Sequence, residues 1–324
     1  MDAVINYSVI NHWQSSIDNS FLPETHDYNS KDIKLSDFVV WLEKIGSSSS
    51  PDLCWKTGLN YDFNLRGPIG EAILGAKTLG GALKRLTDFF PLIQDGSVLS
   101  LDIGPEWTSL SYKILDTNIW PRHHDALYSL GIYATLLKAA APDAWYDVDI
   151  VFEAPAHMFN GDLSNIVNAD CRFEGDSNSL FFPTEILDRP LGLAPSIDAS
   201  LLKELYSRVS KKRKSTPFNV QVRTIIMKML ERGKVSQEDI ASDLCVTSRT
   251  LRRKLTAEGY SFQKILDDCR MQIVILEFKS KSRISLSELA FKLGYSEHST
   301  FSRAFARWAG QAPQEYRKRM LAAA

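Results

Sequence analysis

Two short segments of the sequence carry the side chains best suited to bind a polyanion such as nucleic acid. Each segment offers four hydrogen-bonding side chains beside an apolar stripe: Ser248, Arg249, Arg252 and Arg253 in the first, and His298, Ser299, Ser302 and Arg303 in the second. An arginine presents its N–H donors in a fixed fork, which matches phosphate oxygens and the major-groove edge of guanine. These residues can act together only if two ordered elements present them on exposed faces.

The same succession of structural signals occurs twice, in residues 236–255 and 285–305. Ser236 is followed three residues later by Asp239, and Ser285 is followed by Glu288. This spacing is typical of a capping box, in which the hydroxyl and the acid both bond backbone N–H groups at the start of a helix. Each copy is therefore predicted to begin with a short helix.

A turn and a second helix complete each copy. In the first copy the turn is Cys245-Val246, the second cap is Thr247, the apolar pair is Leu251 and Leu255, and the terminating glycine is Gly259. In the second copy the turn is Gly294-Tyr295, the second cap is Ser296, the apolar pair is Phe301 and Phe305, and the terminating glycine is Gly310. Apolar residues four apart lie on one face of a helix, so the polar side chains between them are predicted to be exposed. The pattern predicts two helix-turn-helix units, a motif whose second helix enters the major groove of DNA.

Residues 218–320 resemble the DNA-binding domain of the AraC/XylS family of bacterial transcription factors. The motifs that carry the resemblance are Thr247-Ser-Arg-Thr-Leu-Arg-Arg-Lys-Leu255 with Gly259-Tyr-Ser-Phe262, and Leu289-Ala-Phe-Lys-Leu-Gly-Tyr-Ser-Glu-His-Ser-Thr-Phe-Ser-Arg-Ala-Phe305 with Gly310-Gln-Ala-Pro-Gln-Glu-Tyr-Arg317. The chain departs from the family pattern at Cys245, where glycine is usual, and at Ala312, where serine usually precedes the proline. Both residues are small and lie at turn or cap positions, so the expected fold is unchanged.

The resemblance implies how the two units would work. Arg249 and Arg252 would face bases, and Arg253 would contact either a base or a phosphate. A joining helix, predicted from Phe262 to Phe278, would place the units in successive major grooves about 34 Å apart on one face of the duplex. The implied partners are double-stranded promoter DNA and RNA polymerase, which family members of this kind usually recruit as activators.

Length and charge divide the chain. The predicted parts are an effector-binding or dimerisation domain at 1–196, a linker helix and basic linker at 197–217, and a DNA-binding domain at 218–324. From Lys211 onward there are 23 Lys and Arg against 11 Asp and Glu, which leaves 15 basic against 28 acidic residues in the rest. A basic third on an acidic body is typical of a phosphate-binding module joined to a domain that does not bind DNA. The run Lys211-Lys-Arg-Lys214 is either a solvated linker or a further phosphate contact.

The N-terminal part is predicted to be an α+β domain with helices packed on an antiparallel sheet. Hydrophobic periodicity predicts helices at 9–21, 36–45, 68–74, 78–90 and 120–140, and strands at 97–103, 107–115, 147–152, 171–173 and 179–182. Gly58-Leu59 and the helix from Leu79 to Phe90 resemble the arabinose-binding-like effector domain of one branch of the same family. The resemblance implies a small-molecule effector and, in some members, a homodimer.

Candidate reactive residues in the N-terminal part form no enzyme motif. The sequence has no glycine-rich phosphate loop, nucleophile elbow or metal-ligand spacing, so neither enzyme activity nor a cofactor or metal is expected. His123-His124-Asp125 lies near the start of a predicted helix, where adjacent side chains diverge and structural or surface roles are favoured. Arg66 is the candidate contact for an anionic or amphipathic effector, or else a member of an internal ion pair.

The cysteines and the hydropathy pattern bear on location. The four cysteines have no C-x-x-C pairing, which favours free buried thiols in a reducing cytosol: Cys54, Cys171, Cys245 and Cys269. No apolar run is long enough to span a bilayer and the N-terminus lacks a basic export region, so the cytoplasm is expected and no membrane contact. An effector-responsive transcription regulator is the leading hypothesis. The alternative is a catalytic or ligand-storage N-terminal domain that a DNA-binding tail merely localises.

Overall fold

The computed structural model describes residues 3–6, 12–13, 32–193, 197–230, 235–280 and 284–323. These residues belong to two compact units, one comprising Met1–Ile114 with Pro121–Lys212 and the other comprising Leu115–Trp120 with Arg213–Ala324. The helix predicted at 9–21 lies outside the described residues except for His12 and Trp13, and so does the predicted domain edge at residue 196. Each unit is described by itself.

The described part of the first unit contains a sheet of five strands and a separate sheet of two strands. The strands of its described part are β1 (Val4–Asn6), β2 (Asp32–Lys34), β3 (Ser97–Ile103), β4 (Trp107–Ile114), β5 (Asp149–Val151), β6 (Asp170–Arg172) and β7 (Asn178–Pro183). β1 pairs with β2, and the other five lie in the order β3-β4-β7-β5-β6. The strands predicted at 97–103 and 107–115 are confirmed as β3 and β4, which form an antiparallel hairpin. Neighbouring strands are antiparallel except β5 and β6, which are parallel.

Helices complete the core of the first unit. They are α1 (Leu35–Ser48), α2 (Leu53–Leu59), α3 (Pro68–Leu74), α4 (Leu79–Phe89), α5 (His123–Ala140), α6 (Leu163–Val167) and α7 (Ala199–Ser215). The first half of α5 is buried on all sides, which makes this helix the centre of the core. The stripe predicted in α4 is buried at Leu79, Leu83 and Leu86. α7 continues through the predicted basic linker as far as Ser215.

Two glycines let α2 and α5 cross at close range. A β-carbon on Gly58 would lie 2.3 Å from the backbone oxygen of Tyr128, and one on Gly131 would lie 2.7 Å from the backbone oxygen of Trp55. A non-bonded carbon and oxygen do not approach each other so closely, so any residue larger than glycine at either position would push the two helices apart. The pair fixes the position of α5, which carries several polar side chains of the candidate sites.

A third glycine shows why one predicted helix end is wrong. The sequence predicts that α1 stops at Gly46, but the helix continues to Ser48. A β-carbon on Gly46 would lie 2.3 Å from the imidazole ring of His124. Gly46 therefore makes room for a neighbouring side chain and does not end the helix.

The second unit consists of helices around one apolar core. Its described helices are α8 (Phe218–Leu230), α9 (Gln237–Asp243), α10 (Ser248–Ala257), α11 (Phe262–Lys279), α12 (Leu286–Lys292), α13 (His298–Ala309) and α14 (Pro313–Ala323). Leu251 and Leu255 of α10 and Phe301 and Phe305 of α13 are fully buried in that core, as their spacing predicts. The 18 residues of α11 join α9–α10 to α12–α13 and span about 27 Å.

The observed architecture confirms the predicted fold class. The first unit is α+β, and the second is all-α with two helix-turn-helix arrangements. Among the described helices, none is both long enough and apolar enough to cross a membrane.

Candidate nucleic-acid interface and effector pocket

The turn between α9 and α10 sets the direction of the first exposed helix. The N–H groups of Cys245 and Val246 each bond one of the last carbonyls of α9 at 2.9 Å, which is a Schellman motif. Cys245 takes the left-handed conformation that this motif requires, with a φ of 53°. The hydroxyl of Thr247 then accepts the N–H of Thr250 at 3.1 Å, so α10 is capped where the sequence predicts.

The turn between α12 and α13 repeats the motif with one residue more. The backbone N–H groups of Gly294 and Tyr295 each donate to one of the last carbonyls of α12 at 2.9 Å. Gly294 takes the left-handed conformation, with a φ of 81°. The prediction that Ser296 caps the next helix is wrong, because the cap position is Glu297 and α13 begins at His298. The cap residue Thr247 follows the left-handed residue Cys245 by two positions, whereas the cap residue Glu297 follows the left-handed residue Gly294 by three positions.

The helix starts differ in how well they are capped. Ser285 and Glu288 form the predicted capping box, with the hydroxyl accepting at 3.1 Å and the carboxylate accepting the Ser285 N–H at 2.8 Å. The Ser285 N–H lowers the pKa of Glu288 because it stabilises the charged carboxylate. In the first copy the Ser236 hydroxyl accepts the Asp239 N–H at 3.0 Å, but the described residues contain no return bond. An aspartate is one methylene shorter than the glutamate that usually makes that bond.

The predicted contact residues correspond one to one in the two copies. They occupy the first, second, fifth and sixth positions of their helices: Ser248, Arg249, Arg252 and Arg253 in α10, and His298, Ser299, Ser302 and Arg303 in α13. All are exposed except Ser248 and Ser302, which are half-buried. The structure therefore places each set of four on one helix face, although the second turn is one residue longer than the sequence pattern predicts.

α10 presents the larger positive charge. Arg249 and Arg253 have no internal hydrogen bond or ion pair with any residue that the structure describes. The Nε of Arg252 donates one bond to Oε1 of Gln237 at 3.3 Å. Guanidinium groups that the protein leaves without strong internal partners are available to an external anion.

α13 is less basic, and its polar side chains bond one another. The local hydrogen bonds are Ser299 to Glu297 at 3.1 Å, His298 with Ser302 at 3.4 Å, and Arg303 to Thr300 at 3.4 Å. The carboxylate of Glu297 at the start of the helix would repel a phosphate placed there. The two faces match in geometry but differ in charge.

Two charged residues position these helices without any recognisable signal in the sequence. The carboxylate of Glu258 accepts the first two N–H groups of α8, both at 2.8 Å, and so caps that helix from a distance. Arg270 of α11 donates to the backbone oxygen of Leu293 at 3.0 Å and lies 4.5 Å from the ring of Tyr295. Arg270 therefore holds the second turn against the joining helix.

The basic run at the end of α7 is partly used within the protein. Lys212 pairs with Asp95 at 2.7 Å in the first unit. Arg213 donates to the backbone oxygen of Asp243 at 3.2 Å in the second unit. Lys211 and Lys214 are exposed.

A pocket in the first unit brings Arg66 together with residues far away in the sequence. Its volume, including its open mouth, is about 480 Å³, and most of its wall is apolar or aromatic. Arg66 is half-buried, and its Nε donates to the hydroxyl of Tyr61. Asp125 of α5 lines the same pocket, where burial raises the pKa of its carboxyl to about 7.

The neighbouring histidines are both buried, which agrees with the structural one of the two predicted roles, but the prediction that their side chains diverge is wrong. The ring centroids of His123 and His124 lie 4.3 Å apart. Nδ1 of His123 lies 2.9 Å from Oε2 of Glu43, while the backbone N–H of His124 donates to Oε1 of Glu43 at 2.7 Å. Burial lowers the pKa of His124 to about 4.

Glu43 joins these histidines from another helix, which no local pattern could reveal. Possible ligand atoms of Glu43, His123 and His124 lie within 4.8 Å of one another, a spacing that a metal ion could use. The contacts present are those of a helix cap, since Glu43 accepts an N–H at the start of α5.

All four cysteines are free thiols. Cys54 and Cys269 are buried, and burial raises the pKa of Cys269 to about 12. The prediction of burial is wrong for Cys245, which is exposed in the first turn.

Two helix-turn-helix units with matched exposed faces define a DNA-binding protein of the transcription-regulator class. Residues 240–319 match the family model of a helix-turn-helix domain, and residues 38–191 match that of the arabinose-binding domain of AraC transcription regulators. The chain belongs to the AraC family of bacterial transcription regulators. Both resemblances found in the sequence are thereby confirmed.

Relatives along most of the chain are also regulators. The chain is 24% identical over 274 residues to the ornithine utilization regulator of Pseudomonas aeruginosa, covering 83% of this chain and 79% of that protein. It is 24% identical over 295 residues to the regulator VqsM of the same species, covering 86% of each. The crystal structure of the transcriptional regulator CdpR from Pseudomonas aeruginosa aligns with a TM-score of 0.42 and 20% identity over 96% of each chain.

Proposed function

We propose that this regulator activates transcription by placing α10 and α13 in adjacent major grooves of promoter DNA. The observation that carries the proposal is the one-to-one match of polar residues, most of them exposed, at the same four positions of both helices. Arg249 and Arg252 lie in the half of α10 that enters the groove in this motif, so we assign them to base edges. RNA polymerase is the proposed second partner, and the cytoplasm, where bacterial promoters lie, is the proposed location.

We assign the DNA-binding domain to residues 218–324, the linker to 197–217 and the sensing or dimerising domain to 1–196. The pocket around Arg66 and Asp125 supports a small effector as the regulatory signal. Binding of an effector would alter regulation only if its affinity differs between DNA-bound and free states of the protein.

The DNA contacts are tested with duplexes selected from a random library by the unmutated protein. We expect Arg249→Ala or Arg252→Ala to reduce the preference for the selected site over a scrambled duplex by roughly 5- to 150-fold, because a bidentate arginine–guanine contact contributes about 1–3 kcal/mol of discrimination. The melting temperature should not change, since both side chains are exposed.

The control is Arg208→Ala, which removes an exposed arginine from α7 and should leave the preference intact. If the unmutated protein binds selected and scrambled duplexes with equal affinity, sequence-specific binding by these helices is refuted.

A catalytic or ligand-storage role for the N-terminal domain is the competing proposal. Its relatives are regulators, which favours sensing, and a sensing domain predicts that the bound small molecule changes DNA affinity. Turnover of a pocket ligand by the full-length protein, with no effect of that ligand on DNA binding, would favour the competing proposal.

A further inference from the structure

Three buried side chains bring possible metal ligands together where α1 meets the start of α5. Glu43 lies on α1, and His123 and His124 are the first two residues of α5. The exposed fraction is 8% for Glu43, 7% for His123 and 3% for His124, so all three are more than nine-tenths buried. One carboxylate oxygen and one nitrogen of each imidazole lie within 4.8 Å of one another.

These ligand atoms are not satisfied by the surrounding protein. Oε2 of Glu43, Nδ1 of His123 and Nδ1 of His124 are buried and have no hydrogen-bond partner among the residues that the structure describes. Oε2 of Glu43 and Nδ1 of His123 lie 2.9 Å apart, but they are not aligned as donor and acceptor. Because buried polar atoms nearly always have partners, three such atoms at one place indicate a partner that the polypeptide does not supply.

We propose that Glu43, His123 and His124 bind a divalent transition-metal ion, with zinc as the first candidate. Imidazole nitrogens suit zinc, copper and nickel, and zinc also accepts a carboxylate oxygen, whereas magnesium and calcium take oxygen ligands. The ion would join α1 to α5 and so stabilise the first unit. This site goes beyond the proposed regulation of transcription and does not depend on DNA binding.

The separations suit a single ion after a small adjustment of the rings. Zinc ligands lie about 2.0–2.2 Å from the ion, so two of them are about 3.3 Å apart in a tetrahedron and at most about 4.4 Å apart on opposite sides. The 2.9 Å between Oε2 of Glu43 and Nδ1 of His123 is slightly below the tetrahedral value. The limit of 4.8 Å for the whole set is slightly above the largest value. Shifts of well under about 1 Å would therefore close the site.

The carboxylate of Glu43 is held in place through its other oxygen. Oε1 accepts the backbone N–H of His124 at 2.7 Å and that of Asp125 at 3.4 Å. Oε2 is left beside Nδ1 of His123. Hydrogen bonds that orient a metal ligand in this way typically contribute 10- to 100-fold to metal affinity, so the cap of α5 also prepares the site.

The two imidazole rings are positioned by packing. A β-carbon on Gly46 would lie 2.3 Å from Nδ1 of His124, so only glycine leaves room for this nitrogen beside α1. The ring of Phe159 packs edge-on against the ring of His123, with centroids 5.4 Å apart, and Phe152 packs against Phe159 in turn. Apolar surroundings of this kind limit the access of water and strengthen the attraction between a cation and its ligands.

The charges around the site favour a cation. Burial raises the pKa of the Cys54 thiol, and the carboxylates of Glu43 and Asp125 raise it further, which places negative charge in this region. The guanidinium of Arg122 is already bonded to both carboxylate oxygens of Glu153, at 2.8 and 2.7 Å. A divalent cation would therefore offset an excess of acidic groups.

An ion pair between protonated His123 and Glu43 is the alternative account. It would explain the 2.9 Å contact, but it would leave Nδ1 of His124 buried without a partner. A metal ion provides a partner for all three atoms at once. The two accounts differ in a direct way, because only the second requires the protein to bind a metal.

The test uses the full-length protein after metals have been removed with a chelator. Calorimetric titration with zinc chloride should show one ion bound per chain. At a zinc concentration about a hundred times the Kd, the melting temperature should rise by about 5 °C or more. Cobalt(II) should give visible absorption bands without the thiolate-to-cobalt charge-transfer band that a cysteine ligand produces. Magnesium and calcium are the comparison ions and should not bind at this site.

Variants assign the ligands. Glu43→Gln keeps an oxygen that can cap α5 but removes the charged ligand, and His124→Gln removes one imidazole. Each should weaken zinc binding at least about tenfold, because losing a ligand costs no less than losing one of its supporting hydrogen bonds. His157→Gln and Glu106→Gln change exposed residues of the same unit and should bind zinc as the unmutated protein does.

Loss of zinc binding in Glu43→Gln and His124→Gln, with retention in both controls, would support the site. Failure of the unmutated protein to bind zinc would overturn it in favour of the ion pair, and this result needs no variant to fold. Zinc affinity that is the same in all four variants would place the metal at other residues and overturn the proposal. A thiolate charge-transfer band with cobalt would do the same by assigning the metal to a cysteine.

Discussion

Asp125 and His124 are adjacent buried residues whose pKa values shift in opposite directions. The pKa of the Asp125 carboxyl is raised and the pKa of the His124 imidazole is lowered. Burial raises the pKa of Asp125 from 3.8 to about 7, and Glu43 adds to the increase while Tyr112 and Arg122 oppose it. Burial lowers the pKa of His124 from 6.5 to about 4. In both cases the low-polarity surroundings disfavour the charged form.

The two shifts have opposite effects on stability as the pH falls. Folded Asp125 takes up its proton before the unfolded chain does, so the free energy of unfolding rises between about pH 7 and 4. Folded His124 takes up its proton after the unfolded chain does, so the free energy of unfolding falls between about pH 6.5 and 4. Each therefore partly conceals the other in the unmutated protein.

We predict that Asp125→Asn exposes the histidine effect. Relative to the unmutated protein, the variant should lose stability on acidification by up to about 1.4 kcal/mol per pH unit between pH 7 and 4, since only the contribution of Asp125 has been removed. Urea unfolding of the ligand-free protein at pH 8, 7, 6 and 5 measures the difference. Parallel pH profiles for the two proteins would contradict the buried, neutral-favouring environment of Asp125.

At the scale of elements, the helix-turn-helix turns show how one backbone conformation accepts different residues. Cys245 and Gly294 occupy the same left-handed position of equivalent Schellman motifs, with φ values of 53° and 81°. A residue with a β-carbon is strained in this conformation, and glycine is not. The first turn therefore forms at a cost that the second avoids.

We predict that Cys245→Gly raises the free energy of unfolding by about 0.5–1 kcal/mol, while Gly294→Cys lowers it by about 1 kcal/mol or more. Differential scanning calorimetry of the full-length protein measures both changes. The control is Cys245→Ala, which removes the exposed thiol but keeps a β-carbon, so it should give no gain. Equal stabilisation by alanine and glycine would show that the thiol, and not the backbone conformation, is the source of strain.

At the scale of the whole molecule, a net charge of −1 conceals a strong division between the ends of the chain. The excess of basic residues from Lys211 onward falls almost entirely within the unit that carries both helix-turn-helix arrangements. Binding to DNA through lysine and arginine releases condensed counterions, so affinity depends on salt whatever the total charge of the protein.

We predict that the logarithm of the DNA affinity falls linearly with the logarithm of salt concentration, and that Arg253→Ala reduces the steepness of this line by about one. Arg253 lies at the sixth position of α10, beyond the residues assigned to bases, and has no internal partner among the described residues, so we expect it to contact a phosphate. Fluorescence anisotropy between 50 and 200 mM salt measures the slope, with Arg208→Ala as the control. An unchanged slope together with lost sequence preference would assign Arg253 to a base instead.

Predictions from the sequence succeeded where the signal was local. Capping residues and apolar residues four apart determine a helix within one or two turns, so Thr247, Leu251 and Leu255 were enough to locate α10. Phe301 and Phe305 predict the second recognition helix equally well, but the predicted cap, Ser296, lies one residue before the observed cap, Glu297. A loop tolerates such an insertion without changing the helices it connects.

The sequence by itself determined the duplicated helix-turn-helix, the α+β class of the first unit and the charge division, because periodicity, caps and composition are properties of neighbouring residues. Only the tertiary structure decided that Glu43 caps α5 beside His123, that Glu258 caps α8, and that Arg66 shares a pocket with Asp125. These partners are far apart along the chain, and the packing of whole elements brings them together. Spacing along the sequence does not predict these contacts, since they depend on how every intervening element folds.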